Sequence, residues 1–324
     1  MTSRLHRRAI LAAAPLCALP WAARAQSWPV RQMRFVVGFA PGGANDIMAR
    51  LIAAKLAERI AGAGFIVENR PGASTLVALE HVARSAADGT TFFYTSPSTL
   101  LAVLVNRTTA IDPTQALMPV VMAQNAPLAL ICRPDFPARD MAGFLRVARE
   151  RQGRLTVSTP GTGAINHLAL ILLSRQAGIE VTHVPYTGNQ PSVTALMRGE
   201  VDVAHDGLFT PRAQLDAGTL RAIAVTTAER SRVYPDIPAI AETVPGHDVS
   251  FWGGLFAPRG TPEPIAARLA QEVDAVLRLP DVIERVRSFG AEPVGRDPAH
   301  FARVVAEDWT RWGGVIRENN ITAG

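Results

Sequence analysis

One pattern constrains this chain more than any other. A short apolar run ends in a turn rich in glycine, serine or threonine, and apolar residues at helical spacing follow. Residues 33–39 (MRFVVGF) end at Pro41-Gly42-Gly43, and Met48, Leu51, Ile52, Leu56 and Ile60 then recur along one helical face. Residues 65–68 end at Asn69-Arg70-Pro71-Gly72, with Leu79, Val82 and Ala83 on the next helix. Residues 91–94 form a third strand that runs into Ser96-Pro97-Ser98. A second series repeats the order. Strand 128–132 leads to a helix near 141–151, strand 155–158 to Thr159-Pro160-Gly161-Thr162-Gly163 and a helix from about 166 to 176. Strand 181–184 enters Pro185-Tyr186-Thr187-Gly188, strand 201–204 enters Asp206, and 220–225 is a further strand. Strands alternating with helices predict an α/β fold with a mostly parallel sheet between helical layers.

Thr261-Pro262 reads as an N-cap and a first-turn proline for a helix with Ile265, Leu269, Val273 and Val276 on its apolar face. Two more helices follow, near 281–288 and 298–317. At roughly 150 residues per domain, the 324-residue length suits two α/β lobes. In such sheets a ligand sits at the carboxyl ends of the strands, where the glycine turns lie.

The net charge of +5 invites a polyanion partner. Its origin removes that reading. Arg4, Arg7, Arg8 and Arg24 precede residue 26 and no acid does, so cleavage there leaves 29 Lys and Arg against 28 Asp and Glu. A near-neutral chain has no electrostatic footprint for nucleic acid. Residues 1–25 have the three parts of an export signal: basic residues 1–8, apolar residues 9–21, and Ala23-Arg24-Ala25 before Gln26. The expected product is periplasmic and starts at Gln26. Its one cysteine, Cys132, follows Ala129-Leu130-Ile131 and reads as a buried strand residue with no disulfide partner.

Several chemistries lack support. No G-K-[ST] follows Gly42-Gly43 and no G-x-G-x-x-G opens a helix, so nucleotide binding has no motif. His81, His167, His183, His205, His247 and His300 show no metal-ligand spacing, and there is no G-x-S-x-G elbow. No metal and no cofactor is expected. His167 reads as a hydrogen-bonded structural residue. Lys55, the only lysine, reads as a snorkelling or exposed side chain.

What remains is a set of Gly-, Ser-, Thr- and Asn-rich loops at strand ends: 40–46, 69–75, 95–99, 159–166 and 186–189. Helices that begin there offer unpaired N–H groups and a positive dipole end, which together suit a carboxylate.

The segments RFVVGFAPGGANDIMARL, VENRPGAS, DGTTFFYTSPST, STPGTGAINHLA, VTHVPYTG, GEVDVAHD, LRAIAVTTAERS, PDIPAIAE and FGAEPVG run in order from about residue 28 to the C-terminus. In them the chain resembles the Bug family of periplasmic solute-binding proteins, receptors of tripartite tricarboxylate transporters. The resemblance implies a two-lobed periplasmic binding protein fold (type II-like) with two crossovers and C-terminal helices packed on the first lobe. It implies residues 26–125 plus 250–324 as lobe 1 and 126–249 as lobe 2. It also implies a non-catalytic monomer that binds a small carboxylate (a di- or tricarboxylate, an acidic amino acid or an aromatic acid) and docks on membrane transporter subunits. Carried over by motif, first-lobe contacts are Gly43, Ala44, Asn45, Asp46, Ser96, Ser98 and Thr99. Second-lobe contacts are Thr159, Gly161, Thr162, Gly163, Ala164, Tyr186, Gly188 and Asp206.

The chain departs from the family at Ser74, Thr75 and Ala78, where glycines are usual. It departs again at Leu170 and Ile171, at Thr187 and at His205. These changes bear on the ligand and leave the fold reading intact. A secreted α/β hydrolase and a ligand sensor for a signalling partner stay open as alternatives.

Overall fold

The computed structural model describes residues 32–106 and 110–322, so the export segment lies outside the described residues. β1 (Gln32–Val37) buries Phe35, Val36 and Val37 in succession, as a strand covered on both faces requires. Gly42, at φ +87°, turns the chain into α1 (Ala44–Arg59), which buries Met48, Ile52 and Leu56. β2 (Gly64–Asn69), α2 (Leu76–Ala83), β3 (Thr91–Thr95) and α3 (Pro97–Val105) complete the first series. α3 starts directly after Ser96, with proline in its first turn. The single turn α4 (Pro113–Ala116) leads into β4 (Leu117–Cys132).

The second series comprises α5 (Met141–Arg151), β5 (Thr156–Thr159), α6 (Ile165–Ala177), β6 (Thr182–Pro185), α7 (Asn189–Arg198), β7 (Val203–Gly207), α8 (Arg212–Asp216) and β8 (Arg221–Val225). The chain returns through β9 (Ser250–Pro258) and ends in α9 (Glu263–Leu277), α10 (Pro280–Ser288), β10 (Glu292–Gly295) and α11 (Pro298–Glu318). The helix predicted to be capped by Thr261 begins at Glu263, and the Thr261 hydroxyl instead donates to the Pro258 carbonyl at 2.8 Å.

The strand order is β2-β1-β3-β9-β4-β7-β5-β6, with β8 and β10 also paired to β4. β1 is parallel to β2 and β3, and β5 is parallel to β6 and β7, as the alternation predicts. The strands that join the two halves are not: β4 runs antiparallel to β7, β8, β9 and β10. For β4 and β9 the reason is topological. One strand carries the chain out of the first lobe, its neighbour carries it back, and two such neighbours point in opposite directions. β4 is 16 residues long where the sequence suggested only 128–132. Pro119, which cannot donate to the ladder, sits at a register shift against β9.

Each lobe has its own core. Phe35, Met48, Ile52, Leu269 and Val273 meet in the first, and Leu130, Phe144, Val157, Leu173 and Ile223 in the second. A further cluster joins Leu101 of α3, Leu168 of α6, Leu128, Val249, and Trp312 and Ile316 of α11. Thus α9 and α10 serve the first lobe, while α11 also touches the second. Lys55 pairs with Asp281 at 2.8 Å and so ties α1 to α10. Cys132 is buried, and burial raises its thiol pKa to about 11.

Candidate functional site

Four helices begin at the cleft. α1, α3, α6 and α7 follow the carboxyl ends of β1, β3, β5 and β6, and residues of their first turns line one cavity of about 440 Å³. They are Ala44 and Asn45, Ser98, Ile165 and Asn166, and Asn189. Gln124, Pro127 and Leu128 of β4 and Phe251 of β9 form the part between the lobes, and Phe39, Phe209 and Phe289 add aromatic walls. The volume suits a small molecule. A larger depression, about 850 Å³, lies along β10 and α11. The helix start there is already capped by Asp297, whose carboxylate accepts from the His300 N–H at 2.7 Å.

The four cleft helices differ from that one. Their N-cap residues are Gly43, Ser96, Ala164 and Gly188, and none makes a side-chain capping bond. α5, which points elsewhere, has Asp140 accepting from the Gly143 N–H at 2.7 Å. An Asp cap stabilises a helix by about 1 kcal/mol. Its absence at four converging starts keeps N–H donors and dipole ends free for a guest anion.

Asp206 is the one titratable residue of the cavity lining. It lies inside β7, opposite Ala129 of β4, and not beyond the strand as the sequence suggested, because β7 starts two residues later and runs to Gly207. Its side chain is wholly buried. Oδ1 accepts from the Gly207 N–H at 2.6 Å and from the Asn189 side-chain amide, and Oδ2 has no partner. Burial pushes this carboxyl up to about 7, against the pull of those two hydrogen bonds. Asn166 locks α6 to β7: its amide donates to the His205 carbonyl at 2.9 Å, and its own carbonyl pairs with His205 Nδ1 at 2.8 Å. On the first lobe, Asn45 Oδ1 and Ser96 Oγ are buried without partners.

The other residues picked from the sequence support the turns. Asp46 accepts from the Gly42 N–H at 2.9 Å, from Asn69 at 2.8 Å and from Arg50 at 3.0 Å. Burial pushes its carboxyl upward, but these bonds outweigh that and hold it below the usual range. The Thr99 hydroxyl meets those of Thr75 (2.7 Å) and Thr95 (2.5 Å). Thr159 Oγ1 pairs with His183 Nε2 at 2.7 Å. The Gly163 N–H donates to His167 Nδ1 at 3.2 Å, and the two imidazoles stack 3.9 Å apart. Tyr186 and Gly188 donate backbone N–H bonds to Thr159 and Pro160, at 2.9 and 3.0 Å, and Ala164 donates to Gly161 at 3.3 Å. Of the residues picked from the sequence, Ala44, Asn45, Ser98, Ala164 and Asp206 line the cavity. Gly43, Ser96, Gly161, Thr162, Gly163, Tyr186 and Gly188 belong to the flanking turns, and Asp46, Thr99 and Thr159 to the adjoining ends of α1, α3 and β5.

Sequence reasoning did not find the aromatic walls. Phe39 stands between a strand and its glycine turn, and Phe209 just before Thr210-Pro211. A large apolar residue inside a turn is the signal that was there to use. Phe209 and Phe289 meet edge to face across the cleft, centroids 5.4 Å apart, and Arg285 lies 4.6 Å over Phe289. Among the described residues no cluster of His, Cys, Asp and Glu is arranged to hold a metal ion, and no helix is long and apolar enough to cross a membrane.

The sequence pattern of the tripartite tricarboxylate transporter family receptors matches residues 48–321. The chain belongs to this family. Receptors of the family are periplasmic solute-binding proteins of two lobes. This receptor is 34% identical over 326 residues to the UPF0065 protein in the tcbD-tcbE intergenic region of Pseudomonas sp. (strain P51), covering 99% of this chain and 97% of that one. The solved structure of R. palustris Rpa4515 with adipate is 36% identical, with a TM-score of 0.77 over 91% of this chain and 99% of that one. That of MatC (Rpa3494) from Rhodopseudomonas palustris with bound malate is 35% identical, with a TM-score of 0.72 over 89% of this chain and all of that one (100%).

Proposed function

We propose that this receptor captures a small carboxylate in the inter-lobe cleft and delivers it, unchanged, to the membrane subunits of a tripartite tricarboxylate-type transporter. The observation that carries the reading is the convergence of four uncapped helix starts on one cavity. N–H groups and dipoles of this kind hold an anion without lysine or arginine. The adipate and malate of the two R. palustris structures support a carboxylate guest. The lobes in this reading are residues 26–125 with 250–324, and 126–249. The mature protein is a periplasmic monomer that starts at Gln26.

Protein purified from a bacterial periplasm is titrated calorimetrically with mono-, di- and tricarboxylates, and the recovered ligand is weighed by mass spectrometry. One site per chain and unaltered ligand are the expected results. Conversion of the ligand overturns the receptor reading in favour of an enzyme. Intact mass checks the start at Gln26, and a species that retains residues 1–25 refutes it.

A further inference from the structure

The cavity carries a carboxyl group of its own. Asp206 is wholly buried, lies in the lining, and leaves Oδ2 unpartnered. Its Oδ1 already takes the Asn189 side chain, the first residue of α7. The N-terminal field of α7 is therefore partly answered from within the protein. The starts of α3 and α6 remain for a guest carboxylate, with that of α1, whose first turn already holds Asp46 paired to Arg50.

The rest of the lining offers a second guest anion no positive charge. It contains no Arg, Lys or His, so a second carboxylate meets no counter-charge and faces Asp206 instead. Most of the wall is apolar, with Phe39, Phe209, Phe251 and Phe289 the largest of its side chains. Such a wall favours a hydrocarbon body and penalises a polar chain whose hydrogen bonds it cannot replace. A buried acceptor without a partner is completed by a ligand donor.

We infer that the cleft selects a monocarboxylate with an apolar body and one hydrogen-bond donor, hydroxyl or amino, placed to meet Asp206 Oδ2, and discriminates against di- and tricarboxylates. This rests on the carboxylate-receptor reading and narrows it. The helix starts take the carboxylate, the phenyl walls take the body, and Asp206 takes the donor. Two ligand classes share this chemistry: hydroxylated aromatic acids and apolar α-amino acids.

The test is calorimetry on the purified receptor with two matched sets. The first is 4-hydroxybenzoate, benzoate and terephthalate. The second is phenylalanine, 3-phenylpropanoate and phenylsuccinate. Adipate, malate and citrate are titrated alongside. In at least one set the donor-bearing acid binds about tenfold or more tightly than both of its companions, roughly the loss of one hydrogen bond to a charged group. Which set shows the gap identifies the donor as hydroxyl or ammonium. Asp206→Asn narrows the gap and improves binding of the second-carboxylate compound. If that variant fails to fold, the wild-type comparison within each set still decides. Adipate, malate, citrate or terephthalate binding as tightly as the donor-bearing acids overturns the inference and leaves the carboxylate receptor standing. Binding of none of the acids overturns both.

Discussion

Burying Asp206 has a cost that depends on pH, and Asp206→Asn exposes it. The carboxyl moves from 3.8 in the unfolded chain to about 7 in the fold because its ionised form loses water and gains only two hydrogen bonds. A shift of about three units corresponds to about 4 kcal/mol. The fold holds this proton more tightly than the unfolded chain does. The stability it lends is therefore complete below about 4 and is lost as pH rises through about 7. Asparagine keeps an oxygen for the Gly207 N–H and the Asn189 amide and has nothing to ionise. The variant should melt close to wild type near pH 4 and increasingly above it up to pH 7. At about 2 °C per kcal/mol for a chain of this size, the plateau is roughly 8 °C. The assay is ligand-free calorimetric melting of both proteins from pH 4 to 9. The histidines titrate in both and cancel in the difference. A difference that stays flat across this range, or shrinks as pH rises, refutes the reasoning.

Three further predictions follow from the same geometry. Donor-bearing acids need Asp206 ionised, and only the Asn189 amide and the Gly207 N–H face its carboxylate, so their Kd should rise by up to about tenfold per unit below pH 7, as calorimetry at pH 5.5, 6.5 and 8 would read. Burial holds His167, His205 and His247 down to about 4 from 6.5, so the stability each lends is complete above 6.5 and lost as pH falls toward 4; their imidazole resonances should stay unshifted above pH 5 in a proton NMR titration. The Thr226 hydroxyl donates to the Val249 carbonyl at 2.7 Å and accepts from the Leu128 N–H at 3.0 Å, so Thr226→Val should destabilise by about 1–3 kcal/mol in urea unfolding.

Much of the fold was legible because its signals are local. Gly42, Pro97 and the helical spacing of Met48, Ile52 and Leu56 mark turns and helices without reference to anything distant. β4 was not, since Gln124, Asn125 and Pro127 interrupt its apolar pattern; antiparallel pairing with β9 makes it one strand. The register of β7 likewise comes from β4, and register decides which way Asp206 faces. The helix starts of the site could be named from their turns. Phe209, Phe251 and Phe289 could not be assembled into a wall, because they come from three separate parts of the chain and meet only after the lobes are packed.

The joint between the lobes is a ribbon. β4 and β9 cross side by side, with Ala126 opposite Phe251 and Pro127 opposite Ser250, and Thr226 stitches Leu128 to Val249. Two strands bonded edge to edge behave like a leaf spring. They flex out of their common plane by small changes spread over several dihedrals, whereas sliding one past the other breaks the whole ladder at once. A hinge motion at this joint would be confined to that out-of-plane bend, and the ladder would keep the two faces of the cavity in one register. A guest held by both lobes would then meet the same N–H groups at each closure, with no search over misaligned ones.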